Sequence, residues 1–176
     1  MSDLVFGYGS LVGVAPGAPI ARLPGFARRL GVAMDNAVDL PGYKYFVRAD
    51  DGTRPAVHVA FADLVEAGRS TVNGVLLAAP DLAALDARER NYDRVEVSDR
   101  IEVAPPGARV WAYVGSPEGR ERFARGRVAG TLAVARAYVE AIRAGFRSLG
   151  PDEHRAFLES TDLGGVPVMA LDRVDL

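Results

Sequence analysis

Two short stretches of this sequence carry residue types that can do chemistry. The first is Phe6-Gly7-Tyr8-Gly9-Ser10-Leu11, an apolar run that empties into a Gly-Ser turn. Glycine reaches backbone conformations that aim successive N–H groups into one concavity, and such a nest binds a carboxylate or a developing oxyanion. The same residues also read as an ordinary glycine-rich turn at a strand end. A dinucleotide fingerprint fails on spacing, because a third glycine would have to stand where Val12 sits and no βαβ unit follows. The second stretch is Leu85-Asp86-Ala87-Arg88-Glu89-Arg90-Asn91-Tyr92-Asp93-Arg94-Val95. The spacing predicts a short helix over 81–90 with Leu82, Leu85 and Glu89 on one face. Burial of the leucines would draw the Glu89 carboxylate inward. Burial raises a carboxyl pKa toward the range in which one group both takes and gives a proton. With Arg88, Arg90 and Arg94 around it, spacing alone favours Glu89 as a partner in a solvated ion-pair face.

Other chemistries are excluded by what is missing. The 176 residues contain no cysteine, so there is no thiolate nucleophile, disulfide framework, zinc ribbon or iron–sulfur site. His58 and His154 are the only histidines and share no ligand spacing, so no metal is expected. Ser10 lacks the Gly-x-Ser-x-Gly elbow of a serine hydrolase, being followed by Leu11 and Val12. The formal charge of −2 and a pI near 5.7 supply no field for nucleic acid or an anionic membrane, which favours a small neutral or zwitterionic partner. Arg120, Arg122, Arg125 and Arg127 cluster, but Glu118 and Glu121 interrupt them and they read as a solvated helix or loop. No signal peptide is legible, and no apolar run approaches the roughly 20 residues of a spanning helix, so a cytoplasmic location is expected. Lys44 is the single lysine, a bias that reads as genome composition rather than mechanism.

With 49% apolar and 25% charged residues, the composition is that of one ordinary globular domain over 1–176. A chain of this length buries roughly 70% of its unfolded surface, enough for a core without staples. Strand patterns occupy 4–8, 26–34, 43–48, 56–61 and 71–79, and the Gly/Pro-rich residues up to Pro24 predict no regular element. Residues 92–103 and 109–114 read as an antiparallel pair around Pro105-Pro106-Gly107. Thr131 is a candidate cap for a helix to Leu149, with Leu132, Ala135, Val139, Ile142, Phe146 and Leu149 as one apolar stripe. Gly150-Pro151 ends it, a last helix covers 151–159, and 166–171 adds a short strand. Strands first and helices later give an α+β fold: a small mixed, mostly antiparallel, barrel-like sheet with flanking helices.

In this order the motifs resemble the gamma-glutamylcyclotransferase-like superfamily, including its ChaC-type and plant-induced-protein-like branches. That family opens with a strand ending in Tyr-Gly-Ser followed by Asn or Leu, matched by Tyr8-Gly9-Ser10-Leu11. A strand with an Asn-Gly step follows, matched by Val72-Asn73-Gly74-Val75-Leu76, and then Leu-Asp-x-x-Glu with a following Tyr and Arg, matched by Leu85 to Glu89 with Tyr92 and Arg94. A later strand with Tyr113 and a helix with Tyr138 ahead of Ile142 and Gly145 extend the match over most of the chain. Leu11 departs from the Asn of the mammalian-type enzymes and agrees with the ChaC-type opening, while residues 116–130 match no pattern of the family.

The resemblance implies a cofactor-independent enzyme, a lyase or acyltransferase, that converts a γ-glutamyl amine or peptide to 5-oxoproline and the free amine or amino acid. It implies Glu89 as general base and acid, with Tyr8, Gly9, Ser10, Leu11, Tyr113 and Tyr138 around the substrate. Two other readings stand beside it. One is a non-catalytic domain that binds a γ-glutamyl or amino-acid-like ligand; the other is a related acyl-transfer reaction that removes a γ-glutamyl protecting group.

Overall fold

The computed structural model describes Ser2–Leu176. The apolar run at the start forms β1 (Ser2–Gly7), with Val5, Phe6 and Gly7 buried. A single 3-10 turn, Ser10–Gly13, follows at once. The chain then enters β2 (Ile20–Asp35) well before Phe26, because Ala21 and Leu23 alternate into the core despite Pro24-Gly25. Next come β3 (Lys44–Arg48) and β4 (His58–Ala78), the latter joining into one strand the two segments legible in the sequence. The break between those segments is real but local. Glu66 pairs with Phe26 and Thr71 with Pro24, so residues 67–70 stand opposite Gly25 alone, and Gly25 takes φ +83°. A bulge of this kind bends a strand pair without ending it.

The remaining elements are α1 (Leu82–Arg88), β5 (Tyr92–Glu96), β6 (Ala108–Gly115), α2 (Pro117–Val128), β7 (Leu132–Ala135), α3 (Arg136–Ser148), α4 (Pro151–Glu159), β8 (Thr161–Asp162), β9 (Val168–Met169) and β10 (Leu171–Asp175). The strands of the main sheet run β5-β6-β1-β4-β2-β8, with β7 also on β4 and β9 on β7, while β10 and β3 form a separate two-stranded ribbon. In the main sheet the longest pairings, β2 with β4 and β5 with β6, are antiparallel; β1 pairs over four residues both antiparallel with β4 and parallel with β6, and the other parallel pairings (β2 with β8, β4 with β7, β7 with β9) are shorter. This is the mixed, bent sheet with flanking helices expected from the pattern.

Three expectations are corrected. Leu132 and Ala135 fit the helical stripe, yet 132–135 is a fully buried strand held between β4 and β9, and α3 starts only at Arg136. Both strand partners are remote in sequence, so periodicity alone could not separate the two states. Thr131 caps nothing; its hydroxyl lies 2.9 Å from His58 Nδ1. Residues 97–101 form a tight turn instead of extending the strand to 103, with the Arg100 and Ile101 N–H groups both donating to the Val97 carbonyl. The arginine cluster lies on α2, a solvated helix as expected, capped by the Ser116 hydroxyl, with Arg120, Arg125 and Arg127 exposed and Arg122 half-buried. Arg120 donates to the buried Asp63 carboxylate at 2.8 Å, and Arg122 donates to the Ala33 carbonyl and to Asn91 Oδ1, both at 2.8 Å.

Two close approaches set the geometry near the first strand. A Cβ on Gly74 would lie 2.4 Å from the Gly7 carbonyl oxygen, so only glycine lets β4 pass β1 at that point. On α3, a Cβ on Gly145 would lie 3.0 Å from the Gly13 amide nitrogen. The helix therefore presses backbone to backbone on the 3-10 turn, with Val139, Ile142 and Phe146 on its buried face.

Candidate active site

Tyr8-Gly9-Ser10-Leu11 leaves the end of β1 and turns immediately into the 3-10 helix. The Gly9 carbonyl accepts from the Val12 amide, which closes the turn. As the first residues of a helical turn, Ser10 and Leu11 have N–H groups with no partner inside it. Arg28, fully buried on β2, fixes this corner from behind. Its guanidinium donates to the Tyr8 carbonyl, to the Asn73 carbonyl and to Thr161 Oγ1, and lies 4.5 Å from the ring centre of Phe146. No carboxylate pairs with it among the described residues, and burial pushes its pKa down to about 9.

Glu89 stands one residue past α1 rather than inside it. Its N–H still donates to Leu85 at 3.0 Å and its carbonyl accepts from Tyr92 at 2.9 Å, so Glu89 closes the helix and starts the turn into β5. The helix itself is set by Asp81, whose carboxylate caps Ala84 N–H. Glu89 lines a cavity of about 190 Å³. Burial raises its pKa above the ordinary value, against the pull of Lys44 first and then Arg88 and Arg173. Among the described residues no cation lies within 4.0 Å of it, and no side chain hydrogen-bonds it. The solvated ion-pair reading of Glu89 therefore does not hold.

Tyr8, Gly9, Ser10, Leu11, Tyr113 and Tyr138 line the same cavity as Glu89. The three tyrosines differ in what their hydroxyls do. Tyr8 donates to the Tyr113 carbonyl at 2.6 Å, and Tyr113 donates to Asp86 Oδ1 at 2.8 Å, so both protons are committed to the protein. The Tyr138 hydroxyl accepts from Ala62 N–H at 3.0 Å and has no protein acceptor for its own proton among the described residues. An edge contact with Phe61, ring centres 5.2 Å apart, holds the Tyr138 ring in place. Burial pushes the Tyr8 and Tyr138 phenols up, so both are protonated at neutral pH.

Several residues of the wall were not legible as site residues. Tyr92 donates to the Ala62 carbonyl at 2.6 Å, so Tyr92 and Tyr138 grip the two sides of one residue on β4. That residue and Phe61 both reach the cavity although neighbours on a strand face opposite ways. The β2–β4 register shifts between Leu30 and Val32, directly across from this pair. The far wall is the β3–β10 ribbon, which supplies Tyr43, Lys44, Arg173 and Asp175. Only the solitary status of Lys44 in an arginine-rich chain could have marked it in the sequence.

The site thus sets one carboxylate with no ion-pair partner, two phenols with uncommitted protons, Tyr138 and Tyr43, and unpaired backbone amides around a small hollow. That set can move a proton and stabilise an oxyanion, the two needs of acyl transfer. Among the described residues no three His, Asp or Glu side chains converge as metal ligands, and no helix is long and apolar enough to cross a membrane.

No protein-family model matches the chain, and no curated protein matches it in sequence. Among solved structures it is similar to an uncharacterized protein from Homo sapiens, with 19% identity and a TM-score of 0.49 over 92% of this chain and 88% of the other. It is similar to a gamma-glutamyl cyclotransferase, with 18% identity and a TM-score of 0.49 over 93% and 90%. A gamma glutamyl cyclotransferase specific to glutathione from yeast aligns at 16% identity and a TM-score of 0.39 over 91% and 97%.

Proposed function

We propose that the chain is a γ-glutamyl cyclotransferase, releasing 5-oxoproline and a free amine or amino acid from a γ-glutamyl amide. The observation that carries this reading is Glu89, a half-buried carboxylate with no cation within 4.0 Å among the described residues, lining a cavity that the Tyr8-Gly9-Ser10 corner also lines. The reaction needs little else. The substrate's own α-amine is the nucleophile, and holding it against the γ-carbonyl supplies much of the rate through orientation.

Glu89 takes a proton from the α-ammonium, and the amine nitrogen bonds the carbonyl carbon of the γ-amide. The carbonyl becomes an oxyanion, held by the Tyr138 hydroxyl proton. It collapses as the amide C–N bond breaks and Glu89 returns its proton to the departing nitrogen. Glu89 then takes the second proton from the new ring nitrogen and passes it to the released amine, so that 5-oxoproline, an ammonium product and ionised Glu89 close the proton and electron count without a cofactor. The open amides at Gly9, Ser10 and Leu11 receive the glutamyl α-carboxylate. A raised Glu89 pKa suits a group that must gain and lose a proton in one turnover.

The test is 5-oxoproline release from a panel of γ-glutamyl compounds. The wild-type chain is expected to release it, and Glu89→Gln to lose about 10²–10⁴-fold in kcat while still binding substrate. Unchanged turnover in Glu89→Gln would remove the mechanism. Ligand binding with no turnover in the wild type would leave a binding domain instead.

A further inference from the structure

Lys44 is the only lysine among 21 basic residues, and its place in the cavity is peculiar. On the β3–β10 ribbon Lys44 pairs with Asp175 and Phe46 with Arg173, so alternation puts these four side chains on one face, toward the hollow. Arg173 is already satisfied: its guanidinium binds Asp175 Oδ1 at 2.7 and 2.6 Å on the half-exposed rim. Lys44 is not. Among the described residues no carboxylate lies within 4.0 Å of it and no acceptor binds it, although its register partner is an aspartate. Instead its ammonium lies 4.4 Å from the ring centre of Phe61 and 5.3 Å from that of Tyr43. Aromatic faces repay only part of the desolvation of an ammonium. The fold therefore bears an unmatched positive charge, open to the cavity it lines.

The position says which anion it awaits. Lys44 and Glu89 line the same cavity, and Lys44 is the foremost cation lowering the Glu89 pKa. With the constant half of a γ-glutamyl substrate assigned to the backbone amides at the exit of β1, the variable half is left the β3–β10 wall, where Lys44, Arg173 and Asp175 line the hollow. A lysine is a compact point charge suited to a single carboxylate in a narrow space.

Resting on the cyclotransferase reading, we propose that the Lys44 ammonium binds the carboxylate of the leaving group. The chain then acts on γ-glutamyl amino acids, whose released nitrogen sits next to a carboxylate, in preference to γ-glutamyl amines that lack one. Lys44 is the specificity-determining residue.

The experiment compares γ-glutamylalanine with γ-glutamylethylamide, which differ by that carboxylate alone, using kcat/KM for 5-oxoproline release. The wild type is expected to prefer γ-glutamylalanine by about ten- to a hundredfold, the scale of one charge-assisted hydrogen bond. In Lys44→Met the preference falls to within about twofold, entirely through loss on γ-glutamylalanine, and Lys44→Arg keeps part of it. No preference in the wild type, or equal losses on both compounds in Lys44→Met, overturns the proposal. Thermal melts of the variants report folding, and Lys44→Gln, which also removes the charge, gives the same readout should Lys44→Met not fold. If neither compound yields 5-oxoproline, the cyclotransferase reading fails by itself, and calorimetric binding of the same two compounds decides the subsite. Tighter binding of γ-glutamylalanine that disappears in Lys44→Met sustains it. Equal binding, or none, removes it.

Discussion

The Nε–H of Arg28 on β2 donates to the carbonyl of Tyr8 at the exit of β1, from a position with no solvent exposure. The same guanidinium holds the Asn73 carbonyl on β4, so one side chain ties together three strands just behind the turn that faces the cavity. Buried carbonyls that lose such a donor cost about 1–3 kcal/mol each. Arg28→Met is expected to lower stability by about 2–4 kcal/mol, read as a lower urea midpoint at unchanged slope. It should also reduce kcat more than it raises KM, because the corner shifts while the pocket survives.

The tyrosines divide by the fate of their protons. Tyr138→Phe removes a phenol whose proton has no protein acceptor among the described residues and is free to meet an oxyanion, and should lower kcat by about 10–10³-fold. Tyr8→Phe loses a hydrogen bond to the Tyr113 carbonyl and should cost about 1 kcal/mol of stability, with a small effect on kcat. Steady-state kinetics and chemical denaturation of the two variants side by side test this; equal effects on kcat would contradict it.

Glu89 must be ionised to accept a proton, and its pKa is raised by burial. The acid limb of kcat/KM is therefore expected above the ordinary glutamate value of about 4.3, activity falling as pH drops through it. Lys44 is the foremost cation holding that pKa down. In Lys44→Met the limb should move to higher pH, visible in pH–rate profiles with γ-glutamylethylamide.

Burial lowers the Lys44 pKa from 10.5 to about 8. A lysine with a lower pKa folded than unfolded costs stability whenever its charge is forced to persist. The cost is complete below pH 8, shrinks between pH 8 and 10.5 and vanishes above. Lys44→Met should thus be more stable than the wild type by about 1–3 kcal/mol at pH 7, with the difference in Tm closing as pH approaches 10.5.

Part of the cavity wall lies in contiguous motifs, which is why it was legible. Tyr8 to Leu11 and Leu85 to Glu89 are each one local turn, and the structure brings Tyr8 to Leu11 and Glu89 to one cavity. The far wall was not legible, because Lys44 and Arg173 meet only through the pairing of β3 with β10, two short strands distant in the chain with weak alternation. The same holds for Leu132 to Ala135, whose strand state depends on β4 and β9. The division of β4 into two strands arose from a true irregularity at residues 67–70, where local pattern cannot tell a bulge from a loop.

The charge of the hollow runs against that of the molecule. The chain is net negative, yet the cavity wall carries Lys44, Arg88 and Arg173 against Glu89 and Asp175. An anionic compound is repelled at long range and drawn in at the mouth. Millimolar salt should first speed its capture by damping the outer repulsion, and higher ionic strength should then slow it as screening shrinks below about 8 Å and reaches the mouth itself. A rate of association that rises and then falls with salt is the signature of this inversion.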